Sequence, residues 1–322
     1  MKKVDFQALV KQLDNLSPEQ REKVTATLSE LSAQDSSGEL AALLSARCSA
    51  CPHCGATKLY KHGQAHGLPR YRCRTCRKTF NPLTGTPLAH LRLRYKWLSY
   101  HQCLLDSLTI RKAAAAVNIS RNTSFRWRHR FLAWVKNDRP EHLHGIAEAD
   151  EMYLLESEKG ARKIARPPRK RGGAASQRGT SKEQVCILVA RDRTGQTLNF
   201  VTGRGPVSKA QLRQCLLPAL DKDVLLVTDS NAVYRYFARD ADISYESINL
   251  RAKRRVRGAI HIQNVNAYHS RCRQWLDRFH GVATHYLPNY LGWRWALDAH
   301  RINAPLDLLK ASVGVFPHLA AT

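Results

Sequence analysis

Up to Pro140 the apolar positions recur mostly at helical spacing, interrupted by a cysteine-rich segment; beyond it they run or alternate as in strands. Residues 4–33 predict two helices. The second opens with Ser17-Pro18-Glu19-Gln20, where Ser17 is suited to the N-cap, Pro18 to the first helical position and Gln20 to closing a capping box. QDSSGE (34–39) reads as a linker, the cysteine-rich segment runs to about residue 80, and NPLTGTPL (81–88) reads as an irregular bridge. Helical periodicity returns over 94–136 and stops at Pro140. Strands are then predicted at GIAEADEMYLL (145–155), EQVCILVARDR (183–193) and QTLNFVTG (196–203), the last two joined by a Thr194-Gly195 hairpin turn. A helix fits SKAQLRQCLLPAL (208–220), and DVLLVTDS (223–230) is a short apolar strand ending in one carboxylate, Asp229.

Three strands, a helix, another strand and then helices is the order of a ribonuclease-H-like α/β domain. The chain is therefore expected to be multidomain. A helical N-terminal region (1–46) precedes a zinc ribbon (47–92), a helix-turn-helix region (93–138), the ribonuclease-H-like α/β domain (139–300) and a C-terminal tail (301–322). At 43% hydrophobic residues the chain is globular rather than disordered.

Charge narrows the partners. There are 52 Lys and Arg against 26 Asp and Glu, a net charge of +26, which points to nucleic acid. An anionic membrane surface is the plainer rival, but no apolar run approaches the roughly 20 residues needed to span a bilayer. The opening MKKVDFQALVKQLDNL carries charges through its apolar positions, unlike a signal peptide. A reducing, cytoplasmic location is expected, with the nine cysteines thiols or metal ligands rather than disulfides.

Four of those cysteines have metal-ligand spacing. Cys51-Pro-His-Cys54, then 18 residues, then Cys73-Arg-Thr-Cys76 gives two C-x2-C knuckles able to close a tetrahedral zinc site. Cys48, His53, His62 and His66 remain alternative ligands. A closed four-thiolate site has no open position, so its zinc would be structural and would supply folding energy to a ribbon with little core.

DNA reading has its own candidate. In residues 105–135 a helix is predicted near Thr109, a break at Asn118-Ile119, and a second helix capped by Ser120. Its exposed face is expected to present Arg121, Asn122, Ser124, Arg126 and Arg128 to base edges and phosphates, with Ala113, Ala114, Val117, Ile119, Phe125 and Phe131 as core. An ordinary helical bundle is the plainer reading. Residues 159–182 carry nine Lys and Arg and no acid, and RAKRRVR (251–257) is a second basic run; Arg169, Lys170, Arg171, Arg254 and Arg255 are the candidate phosphate contacts. The simpler reading of either run is a solvated surface.

In so basic a chain, strand-delivered acids stand out. Asp150 in the first strand and Asp229 at the end of the fourth suggest a metal-dependent phosphoryl-transfer centre. Taken singly, Asp229 can be the N-cap of the helix after it and Asp150 a surface acid. Glu151 should point to the opposite strand face, in a structural or supporting role. In a helix from about Val265, Asn266, His269, Ser270, Arg273 and Asp277 share one face and Tyr268, Cys272, Trp275 and Phe279 another.

These motifs together resemble bacterial insertion-sequence transposases of the ISXO-like group related to Merlin elements. The matching pieces are the zinc ribbon followed by LTGTPLAHLRLRYKWL, DEMY in the first strand, VTDSNAVY around Asp229, and NVNAYHSRCRQW followed by FHGVATHYLPNYLGW, in order over about residues 48–295. The resemblance implies an integrase-like core holding two Mg²⁺ or Mn²⁺ ions on Asp150, Asp229 and Asn266. Many relatives carry Glu at the third place and part of the group Asn, whose amide oxygen ligates without charge. Arg273, a candidate DNA contact, stands where Lys is usual, and His285 at another such place. The implied activity is cleavage and strand transfer on double-stranded DNA, terminal inverted repeats and target, by a homodimer or higher oligomer. The alternative is a catalytically inactive, domesticated transposase acting as a DNA-binding regulator. A third reading, an RNA-binding zinc-ribbon protein, leaves the acids unexplained.

Overall fold

A computed structural model describes residues 3–25, 27, 44–45, 47–65, 67–164, 166–168, 172–249 and 256–316. The chain divides into two compact units, Met1–Leu98 and Ser99–Thr322.

In the first unit, α1 (Lys3–Leu13) is followed by helical residues 18–25. The capping box forms as the sequence predicts: the Gln20 N–H donates to Ser17 Oγ at 3.2 Å, and the Ser17 N–H to Gln20 Oε1 at 2.9 Å. The predicted 34–39 linker lies outside the described residues. Strands β1 (Leu59–Ala65), β2 (Leu68–Cys73) and β3 (Thr79–Phe80) form an antiparallel ribbon in that order. Its core is small, comprising Cys48, Cys51, Cys73 and Phe80, with Tyr71 stacked on Phe80 at 5.7 Å. Residues 81–88 are turns, braced by the Thr86 hydroxyl donating to the Leu83 carbonyl.

The second unit contains α3 (Ile110–Ala116) and α4 (Arg121–Phe131), which follow α2 (Trp97–Leu105). Thr109 and Ser120 cap α3 and α4, accepting from the N–H groups of Lys112 and Thr123. The break between them is made by Asn118, at φ 51°.

Strands β4 (Ile146–Leu155), β5 (Gln184–Asp192), β6 (Thr197–Arg204), β7 (Leu225–Asp229) and β8 (Ser244–Ile248) form one sheet in the order β6-β5-β4-β7-β8. The first three pair antiparallel, whereas β4, β7 and β8 run parallel. Strand β8 is an addition to the predicted elements. It is a five-residue edge strand in which only Ile248 is buried, too short and too polar to announce itself. α5 (Lys209–Cys215), opened by the Ser208–Gln211 capping box, and α6 (Ala232–Asp240) cover one face, burying Ala147, Ala149, Leu212, Leu226, Tyr234 and Phe237 together. α7 (Gln263–Asp277) lies on the other face, where the Val265 N–H reaches Glu148 on β4 and Tyr268 bonds Asn199 on β6.

α8 (Leu287–Asp298) and α9 (Pro305–Ser312) complete the unit. The stretch expected to be a tail thus contains a helix that buries Leu308 and Leu309. Trp275, Phe279, Tyr290 and Trp293 form an aromatic cluster between α7 and α8, and the Trp275 indole donates to Ser107 at 2.8 Å. At Gly292 a Cβ would lie 2.5 Å from the Lys136 Cα, so only glycine allows α8 to approach that turn. Among the described residues no helix is long and apolar enough to cross a membrane.

Candidate active site and thiolate centre

Parallel pairing of β4 with β7 decides where the two aspartates meet. Ala147 pairs with Leu226, Glu148 with Val227 and Ala149 with Thr228. The next positions in this register are Asp150 and Asp229, and aligned residues on neighbouring parallel strands project from the same face. That face is the one opposite Ala147 and Ala149, and α7 covers it. Burial pushes the Asp150 carboxyl up to about 6; the Asp229 charge raises it further, while a backbone N–H and Arg273 act the other way. Asp229 accepts from the Asn231 N–H at 3.0 Å, and Asn231 itself caps α6. The plainer assignment of Asp229 as that cap therefore falls to its neighbour.

The α7 helix brings three further groups. At about 100° per residue, Asn266, His269 and Arg273 fall on one side of it. His269 is buried, with Nδ1 3.7 Å from Asp150 Oδ2 and Nε2 without a hydrogen bond. Burial, and then Arg273, hold its pKa down to about 4, so it meets Asp150 as a neutral imidazole. Asn266 and Arg273 are exposed on the same turns. Glu151 points the other way, toward α6. Tyr234 donates to it at 2.5 Å, and burial raises its pKa to about 7.

Glu148 is a member of the site that sequence reading missed. It is fully buried two positions before Asp150, on the same strand face. Its Oε1 accepts from Arg193 at 2.5 Å and lies 3.3 Å from the His261 ring; its Oε2 accepts the Val265 N–H at 2.9 Å. The residue at the N-cap of α7, Ile262, has no side chain able to cap. Glu148 serves instead, fixing the start of the helix one residue before Asn266. The available signal was an acid at an inward position of an apolar strand, in a chain poor in acids.

The ribbon holds the other constellation. Cys51, Cys54, Cys73 and Cys76 place their sulfurs within 4.8 Å of one another, with 3.6 Å from Cys51 to Cys76 and from Cys54 to Cys73. Four thiolates around zinc at about 2.3 Å are separated by roughly 3.8 Å, so the quartet fits that ion with little movement. The Cys76 N–H helps hold the Cys73 thiol down to about 6, toward the thiolate a metal requires. The alternative ligands Cys48, His53 and His62 are not part of this cluster, and His66 lies outside the described residues.

The family model of the ISXO2-like transposase domain matches residues 142–295. Residues 142–295 are thus similar to an ISXO2-like transposase domain. The match encloses Asp150, Asp229 and Asn266 and runs from just before β4 almost to the end of α8. A protein in transposable element ISH50 of Halobacterium salinarum is 29% identical over 245 residues, 75% of this chain and 82% of that protein. Among solved structures, a pre-cleavage Mos1 transpososome is 14% identical, covering 67% of this chain and 78% of that one with a TM-score of 0.21. The Mos1 strand transfer complex is 15% identical over 68% and 78%, with a TM-score of 0.20. Superpositions this slight carry no weight for the present fold.

Ahead of the transposase domain, α4 presents Arg121, Asn122 and Arg126 to solvent as expected. Arg128 corrects the expectation. It is fully buried, donating to the Leu108 carbonyl at 2.5 Å and lying over the rings of Phe279 and Trp293. Ser124 is also buried, bonded to Tyr100 and the Ile110 carbonyl, while Phe125 is 42% exposed and Trp127 takes its place in the core. Partners on α7 and α8 turn the helix to bury a different stripe. Arg169, Lys170, Arg171, Arg254 and Arg255 lie outside the described residues. Of the basic run that begins at 159, Lys159 is turned inward, donating to the carbonyls of Phe279, His280 and Gly281 at the end of α7.

Proposed function

We propose that the protein is an insertion-sequence DNA transposase that binds terminal inverted repeats and carries out divalent-metal-dependent cleavage and strand transfer in a ribonuclease-H-like domain. One observation carries this reading: the β4–β7 register that sets Asp150 beside Asp229 inside the transposase domain, under the helix that holds Asn266. Asp150 and Asp229 are the charged ligands of Mg²⁺ or Mn²⁺, and Asn266 adds a neutral amide oxygen. Ions held there stabilise charge on the transferred phosphate and lower the pKa of the attacking water or 3′-hydroxyl. His269 backs Asp150 from the interior, Glu148 holds α7 in place, and exposed Arg273 offers a cation to the DNA strand. On α4, Arg121, Asn122 and Arg126 read the repeat; the basic run containing Arg169, Lys170 and Arg171 and that containing Arg254 and Arg255 grip phosphates. Zinc on the cysteine quartet holds the ribbon folded. Two repeat ends must be held at once, which calls for a homodimer or larger assembly on DNA in the cytoplasm.

The test is a strand-transfer assay on an oligonucleotide carrying a flanking inverted repeat, with Mg²⁺ or Mn²⁺. Joined product that disappears in the Asp229→Asn variant supports the reading. Specific repeat binding without cleavage under either ion supports the regulator reading instead, which the uncharged Asn266 favours.

A further inference from the structure

The first unit contains a surface that neither the transposase domain nor the helix-turn-helix uses. From Leu40 to Leu105 there are eleven Arg and Lys residues and no Asp or Glu, so this segment supplies no carboxylate to neutralise them. Three of the cations converge. Arg72, Arg74 and Arg77, together with Tyr60 and the thiolate-cluster residue Cys73, line an open cleft of about 480 Å³ on the ribbon. Tyr60 and Arg72 are cross-strand partners on β1 and β2, so their side chains share a face. The Arg74 guanidinium stands 5.7 Å from the Tyr60 ring centre, and Arg72 Nε is tethered to the Arg77 carbonyl at 3.1 Å. None of the three arginines forms an ion pair among the described residues. Holding three guanidiniums around one cleft without an acid costs electrostatic free energy until an anion enters.

We propose that this cleft is a DNA-strand site. The three guanidiniums take backbone phosphate oxygens, and the Tyr60 ring packs against the nucleoside between them. Arginine suits phosphate through its planar fork, and an aromatic ring among cations is the arrangement that binds a nucleic-acid strand without reading its sequence. An acidic peptide would satisfy the cations but not the ring. The inference rests on the DNA-processing function proposed above and adds to it a contact made by the ribbon.

The full-length protein with its zinc is titrated with duplex and with single-stranded oligonucleotides across a salt series. Replacing Arg72, Arg74 and Arg77 by Gln should flatten the log–log salt dependence by about 0.9 per lost phosphate contact on duplex and about 0.7 on single strands. Tyr60→Ala should weaken binding about fivefold or more at an unchanged slope, and Tyr60→Phe should restore it. A larger Tyr60 effect on the single strand would identify an unstacked base as the ring's partner; equal effects would identify the sugar. If the triple variant loses zinc, Arg72→Gln and Arg74→Gln are read singly, each expected to lower the slope. Unchanged slopes with zinc retained, or a Tyr60→Ala variant of normal affinity, overturn the proposal. Wild-type protein that cleaves repeats while these variants bind normally would refute the cleft alone; wild type without metal-dependent cleavage would refute the transposase reading alone.

Discussion

The two proposed cation sites are organised in opposite ways. In the ribbon, four thiolate donors from two knuckles surround one point, and a metal bound there has no coordination position left open. At the sheet, two carboxylates lie side by side on neighbouring strands, Asp150 midway along β4 and Asp229 at the end of β7, partly open to solvent, with an uncharged amide as the third candidate. The ribbon has a core of only a few side chains, so the proposed zinc would supply its folding energy. The sheet has a full hydrophobic core and folds with its acids unpaired, at the cost of a carboxyl raised to about 6. A site that holds the chain together fills every position from the protein, whereas one that must admit a substrate leaves charge unsatisfied.

The most severe way to test that contrast is to remove the charge from the sheet. Asp150→Asn or Asp229→Asn should reduce cleavage and strand transfer by about a thousandfold or more, with DNA binding intact or tighter. Asp150→Asn should also stabilise the metal-free sheet. Because the folded-state pKa is raised, the native state holds its proton longer than the unfolded chain does. Stability therefore falls as pH rises from about 4 to about 6 and stays low above it. The substitution removes that fall, a gain on the order of 3 kcal/mol at pH 7. Denaturant midpoints from pH 4 to 7, with zinc retained and magnesium omitted, measure it. A variant less stable than wild type at pH 7 would contradict the strained-carboxylate account.

Removing a ligand from the ribbon should do the reverse. Cys51→Ser should lower the zinc content from about one per chain toward none and unfold the ribbon, since metal binding is its folding energy. The second unit should still unfold at its usual midpoint. Metal analysis and a melt followed through the tryptophans of the C-terminal helices check both halves. If the two units lost stability together, the division of labour would be wrong.

A gentler change reaches the sheet site without touching its ligands. Glu148→Gln keeps shape but removes the charge held by Arg193 and weakens the acceptor for Val265. Metal affinity should fall about tenfold to a hundredfold, and activity should return at saturating Mn²⁺. Lost activity that excess metal does not restore would assign Glu148 a more direct part.

What could be read beforehand divides by range. Caps were legible because they are local: Ser17 and Ser120 accept the bonds their positions predict. So was the Thr194-Gly195 hairpin, where Gly195 takes φ 93°, and so was the thiolate spacing. The register of β4 against β7 was not legible, because parallel pairing depends on strands some 80 positions apart. Nor was the capping of α7 by Glu148, which crosses 117 positions. Arg128 shows the limit most plainly. Among Arg121, Arg126 and Arg128 nothing local distinguishes the buried one; its surroundings, Phe279, Tyr290 and Trp293, arrive about 150 residues later.

The smallest expected effect separates these arginines. Arg121 and Asn122 are exposed in the first turn of α4, where a helix entering the major groove meets base edges. Arg121→Ala or Asn122→Ala should weaken binding to the terminal repeat by about 1–3 kcal/mol, with less change on random duplex and none in thermal stability. Arg128→Ala should instead destabilise the second unit, because it strands the Leu108 carbonyl and empties the space over two rings. Its effect on the repeat and on random DNA should be equal once the folded fraction is matched. Competition binding on both duplexes, alongside a melt of each variant, reads all three. Equal losses on the two duplexes for Arg121→Ala would reduce that side chain to a phosphate contact, and a stable Arg128→Ala variant with relaxed specificity would return Arg128 to the reading face.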